Sequence, residues 1–179
     1  MSETGSPNDT AALRALVTDA FERVLELVEG ISADLSPELA GYRPDPEANT
    51  IAWLVWHAAR VQDDHIADLA GIDQVWPTWR DRFALPFEPF ATGYGQSADD
   101  VGKVAVSGDL LAGYYRDVHT LTSGYLDRLT AAELERVVDT NWDPPVTASA
   151  RLVSVIGDTT QHLGQAYYIR GLAERAGVA

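Results

Sequence analysis

Four stretches of this chain repeat their apolar residues at three- and four-residue steps, while almost nothing in it alternates apolar with polar. The first runs from about Thr10 to Ser32 and carries Leu13, Leu16, Val17, Ala20, Val24, Leu27, Val28 and Ile31. The second opens at Asn49 or Thr50, either able to cap a helix, and reads IAWLVWHAARVQDDHIADLAG until Gly71 stops it. The third covers about Ser107 to Leu129, with a short lead-in near Ala98 to Val106, and the fourth about Thr147 to Ala176. Between the last two, Thr130 and Glu133 have capping-box spacing and open a short helix. An apolar stripe with this period has to be buried against other helices. The expectation is therefore an all-α chain folded as a four-helix bundle.

The connections are irregular. SPELAGYRPDP holds three prolines and allows at most one helical turn after Ser36. Residues 72–96 contain WPTWRDRFALPFEPFATGYGQ, rich in Pro, Gly and aromatics and without a period. This reads as a long crossover loop, either covering a site or packed by its own aromatics. The polar start MSETGSPNDT reads as a disordered lead-in over residues 1–9, which leaves 10–179 as a single domain. Gly93 and Gly95 make no phosphate-binding pattern, since no strand precedes them and no GK[ST] follows.

Charge and cysteine usage remove whole classes of function. The net charge is −14, and Lys103 is the only lysine. Such a surface repels phosphate backbones and anionic lipid heads, so neither nucleic acid nor membrane is an expected partner. No apolar run is long enough to span a bilayer, and the first residues lack a secretory pattern. The chain has no cysteine, which excludes disulfides, thiolate ligands and a cysteine nucleophile, and fits a cytoplasmic location.

Any transition-metal site must then draw on the four histidines, 57, 65, 119 and 162. Asp158 lies one helical turn before His162, so the two share a face; spacing alone makes them an ordinary i,i+4 pair as readily as two ligands. His57 sits between Trp56 and Ala58 on a helix that reads as core, where an unpaired imidazole is costly. His65 follows two turns later, about 12 Å along the axis and too far to share a ligand shell. Its acidic surroundings, DDHIAD, suggest a solvated face. His119 is either a core residue or an alternative ligand.

TIAWLVWHAARVQDDHIADLAG resembles the second helix of DinB-like proteins, in particular the branch of mycothiol-dependent maleylpyruvate isomerase. DTTQHLGQ resembles that superfamily's fourth-helix motif, a histidine or acidic residue, three residues, then His-x-Gly-Gln. The resemblance implies a DinB-like bundle in which one histidine of the second helix and two residues of the fourth hold a divalent metal, commonly zinc or nickel. Those positions are His57, Asp158 and His162 here. Aspartate at 158 departs from the histidine, or in the mycothiol-dependent branch the glutamate, found there.

Two nitrogens and one carboxylate leave coordination open, as in a catalytic rather than a closed structural centre. The resemblance implies a low-molecular-weight thiol of the mycothiol type at the open position, activated for transfer to, or isomerisation of, a small electrophile. It also makes a homodimer plausible. The alternative is a non-enzymatic bundle whose metal is vestigial or structural, acting in oligomerisation or partner binding. In the first reading Trp76, Trp79, Arg80 and Arg82 cover the mouth of the site, the arginines recognising an anionic small-molecule substrate; in the bland one they pair with the acidic surface.

Overall fold

The computed structural model describes residues 7–178. Its long helices are α1 (Pro7–Ser32), α3 (Ile51–Ala70), α6 (Gly108–Leu126) and α8 (Ala148–Arg175). Short helices α2 (Pro37–Ala40), α4 (Arg80–Phe83), α5 (Ala98–Val101) and α7 (Ala131–Glu135) lie in the connections. Contacts run α1–α6, α6–α3, α3–α8 and α8–α1, which closes the four long helices into a ring with α1 opposite α3 and α6 opposite α8. This is the expected all-α four-helix bundle. None of the described helices is long and apolar enough to cross a membrane.

The helix ends follow local chemistry. Thr50 caps α3 by accepting the Trp53 amide at 3.1 Å, and Gly71 ends it in the left-handed conformation at φ 66°. Ser107, Thr130 and Thr147 cap α6, α7 and α8 in the same way. Helix α1 starts at Pro7, earlier than its apolar stripe; residues 1–6 of the expected lead-in lie outside the described residues.

Helix α3 is the centre of the bundle. Every residue from Ile51 to Arg60 is buried, because α6 and α8 flank it and the crossover covers a further side. The core has two parts. One surrounds Trp53, Trp56, Tyr114 and Leu163; the other joins Phe21, Ile66, Leu126, Leu152 and Val155.

Two details depart from the sequence reading. Residues 72–96 are not structureless: a 3-10 turn at Trp76–Thr78 leads into α4. The cause is tertiary, since the buried Asp63 carboxylate accepts the Val75 and Trp76 amides at 2.9 and 2.8 Å. A two-stranded antiparallel ribbon, β1 (Val137–Asp139) with β2 (Val146–Thr147), also forms in the connection between α7 and α8, in a chain read as all-helical.

Candidate metal centre

Because α3 and α8 are neighbours, His57 on one faces Asp158 and His162 on the other. Each of the three offers a ligand atom, and these atoms all lie within 4.8 Å of one another. The two imidazole centroids are 4.7 Å apart and nearly perpendicular. His57 is buried, while Asp158 and His162 are half-buried.

The crossover orients His57. Its Nδ1 lies 2.6 Å from the Thr92 carbonyl oxygen, which can only accept, so Nδ1 carries the proton and Nε2 keeps its lone pair. Trp53 stacks on the other side of the ring at 4.7 Å and 13°, and its own Nε1 donates to Gln96 at 2.7 Å. Gly93 follows Thr92 at φ 99°, and a Cβ there would stand 2.9 Å from His57 Nδ1. The loop backbone thus approaches the ring as closely as glycine allows.

On α8, His162 Nε2 is 3.6 Å from Asp158 Oδ1, close enough for attraction. The Asp158 carboxylate raises the His162 pKa, and His162 in turn lowers that of Asp158. Burial acts oppositely on His57 and holds it neutral. Asp158 Oδ2 and His162 Nδ1 are buried without a hydrogen-bond partner. Unpaired buried polar side-chain atoms are uncommon in folded proteins, and two of the six among the described residues sit in this cluster. Two imidazoles, a carboxylate and unpaired atoms among them form a donor set that fits a divalent metal, with coordination positions left over.

A cavity of about 310 Å³ opens beside this cluster, lined by His57, Val61, Asp64, His65, Thr92, Tyr94, Ser154 and Asp158. His65 therefore does not sit on a solvated helix face. It forms part of the cavity wall, half-buried, with Nδ1 3.8 Å from Asp64 Oδ2. His119 lies apart, near Glu22 and Glu29 of α1, and does not join the cluster.

The arginines of the crossover are not at the cavity. Arg82 lies over the Trp79 ring at 3.8 Å, and Trp79 Nε1 donates to Asp117 on α6 at 2.8 Å. Arg80 is 3.5 Å from Asp81. Trp76 is buried against Trp56, Phe83 and Tyr114. What reaches the site is the later part of the crossover, Thr92 to Gln96. Sequence reasoning had only the two glycines as a signal there, and they were legible only as poor phosphate binders.

Sequence reading also passed over a buried polar network beside the site. Arg60, Gln62 and Asp63 are fully buried on α3. Arg60 bonds Asp63, Tyr114 and Gln74, and Gln62 bonds Thr122 and Tyr115. Asp63, within the acidic run, read as part of a solvated face because partners that bury it come from α6 and the crossover.

A family model described as mycothiol-S-transferase matches residues 12–174. A crystal structure of a conserved protein of locus from Enterococcus faecalis is similar at 34% identity and a TM-score of 0.81, with 87% of this chain and 94% of that chain covered. No match is found among curated proteins. The chain belongs to the mycothiol-S-transferase family, within the DinB-like superfamily.

Proposed function

From this family membership we propose that the chain is a metal-dependent transferase that joins a low-molecular-weight thiol to a small electrophile at the His57, Asp158 and His162 cluster. The observation that carries the reading is the convergence of these three side chains beside the cavity. When bound there, a divalent ion such as zinc or nickel supplies Lewis acidity that lowers the pKa of a thiol reaching it.

The chain's own residues do the rest. His57 is held in one tautomer by Thr92, so its ring needs no reorganisation. Trp53, stacked on that ring, keeps water from its buried side. The cavity lies at the lower end of the size range of small-molecule sites. His65, kept neutral by burial, is the wall's available base. In the transfer the thiol sulfur bonds to a carbon of the electrophile, whose leaving group departs with the bonding pair, and the thiol proton leaves through the open cavity that His65 borders. The cysteine-free chain supplies no competing nucleophilic sulfur.

The lining bears two carboxylates, Asp64 and Asp158, and no lysine or arginine among the described residues. A doubly charged cation, these two carboxylates and a thiolate sum to one negative charge. That wall suits an uncharged electrophile better than a carboxylate, and transfer better than isomerisation of an anionic substrate.

The test is to purify wild type, His57→Ala and His162→Ala without chelators, measure bound metal, and follow thiol-dependent consumption of 1-chloro-2,4-dinitrobenzene. The reading expects stoichiometric metal and turnover in wild type and loss of both in the variants. Equal trace metal in all three preparations overturns it.

A further inference from the structure

The geometry points to Arg60 as a positioning residue for the metal centre, acting through the crossover backbone on His57. The inference rests on the metal-site reading above and concerns what holds that site in shape. Arg60 lies three residues after His57 on the most buried helix, and none of its surface is exposed. Burying a guanidinium is costly unless its donors are used. Here Nη1 donates to Asp63 Oδ2 at 3.2 Å and the Tyr114 hydroxyl oxygen at 3.0 Å, and Nη2 to Gln74 Oε1 at 2.8 Å. Nε donates to the Ala91 carbonyl at 3.1 Å, and Nη2 reaches the Phe90 carbonyl at 3.5 Å.

The last two contacts carry the argument. Four successive carbonyls, those of residues 89 to 92, each meet a donor from the protein interior. Trp76 Nε1 takes Pro89 at 2.9 Å, Arg60 takes Phe90 and Ala91, and His57 Nδ1 takes Thr92 at 2.6 Å. The Arg60 guanidinium also lies 4.9 Å from the Trp76 ring centre, so the first three tethers are one assembly. The Thr92 oxygen is placed against the ring because the two residues before it are latched to Arg60. An apolar side chain of similar volume often serves stability as well as a buried ion pair. It cannot bind two consecutive carbonyls. A lysine, with a single ammonium, cannot span the carbonyls, Asp63, Tyr114 and Gln74 together.

Partners behind a metal-bound imidazole fix its tautomer and ring orientation, and their loss typically weakens metal binding by about 10- to 100-fold. The experiment measures zinc affinity by competition with a chromophoric chelator. It also reads the His57 tautomer in the metal-free protein from imidazole ¹⁵N shifts, for wild type, Arg60→Lys and Tyr114→Phe. Tyr114→Phe removes bonds to Arg60 and Asp63 but leaves the loop carbonyls latched. The expected result is a fixed Nδ1–H tautomer in wild type and Tyr114→Phe. Arg60→Lys should show mixed tautomers and zinc binding weaker by about 10- to 100-fold.

A wild-type measurement stands beside these in case Arg60→Lys does not fold. Coupling between two sites is reciprocal, so saturating zinc must slow exchange of the Arg60 Nε proton with solvent. An unchanged exchange rate overturns the assignment. So does equal weakening in Tyr114→Phe and Arg60→Lys, which would make the effect one of general stability. If wild type itself binds no zinc, the metal-site reading fails, while the apo tautomer still judges the role of Arg60.

Discussion

Replacing Gly93 with alanine should damage the site more than its fold, and Gly95 provides the control. Gly93 has φ 99°, and an added Cβ would lie 2.9 Å from His57 Nδ1 and 3.1 Å from ring atoms of both Trp53 and Trp56. Gly95 has φ 72° and no neighbour within 4 Å of its Cβ position. Both substitutions force a side chain into the left-handed region, at about 1–3 kcal/mol each. Only Gly93→Ala adds overpacking against rings whose far sides are already filled, about 1–3 kcal/mol more. At roughly 2–4 °C per kcal/mol for a chain of this size, Gly93→Ala should melt about 2–12 °C below Gly95→Ala. Because one contact is with the imidazole itself, zinc affinity should fall by about tenfold or more in Gly93→Ala and stay near wild type in Gly95→Ala. Calorimetry and a competitive zinc titration measure the two quantities. Equal melting temperatures and equal affinities would refute the idea that the crossover backbone sets the position of His57.

The remaining expectations concern pH, substrate and the crossover arginines. The metal needs His162 neutral, and Asp158 raises the pKa of His162 above its ordinary 6.5, while burial keeps His57 neutral over the same range. Zinc affinity should therefore fall about tenfold per pH unit below the His162 pKa and flatten above it, with one proton released rather than two, as calorimetry in buffers of different ionisation enthalpy would show. Without metal the signs differ: the raised His162 pKa gives stability present below pH 6.5 and lost as pH rises through the folded value, and the lowered Asp158 pKa gives stability present above 3.8 and lost as pH falls through its own. Asp64→Asn should improve kcat/KM for carboxylate-bearing electrophiles relative to uncharged ones of the same reactivity; an unchanged ratio would remove Asp64 from substrate selection. Arg82→Ala should leave thiol-transfer kinetics unchanged and cost about 0.5–1 kcal/mol of stability, because its guanidinium lies on Trp79 away from the cavity; a raised KM would contradict that placement.

The bundle was legible because its cause is local and repeated. Each long helix carries its own apolar stripe; α3, α6 and α8 each have a capping hydroxyl, and α3 has its own stop at Gly71. The candidate cluster of His57, Asp158 and His162 could be picked out only through resemblance. Asp158 and His162 share a face by spacing, but nothing in the spacing brings His57 opposite them; the adjacency of α3 and α8 does that. The crossover was the least legible part. Its order comes from Asp63 and Arg60, which lie on α3 among polar residues that looked like a solvated face. For the same reason His65 was assigned to solvent: the acidic run around it is real, but that face borders a cavity whose other side includes Thr92 and Tyr94 of the loop. The arginines misled in the opposite sense, since proximity in sequence to an aromatic loop did not place them at its inner end.

X-ray absorption at the metal edge reports whether an added thiol reaches an ion held by His57, Asp158 and His162. The chain has no cysteine, and its one methionine is Met1. A sulfur neighbour of bound zinc must then come from an added thiol. The zinc-loaded protein should show a nitrogen and oxygen shell at about 2.0–2.1 Å and one sulfur at about 2.3 Å after thiol is added, both lost in His57→Ala. A zinc shell that admits no sulfur at saturating thiol, or that is unchanged in His57→Ala, would contradict the metal-site reading.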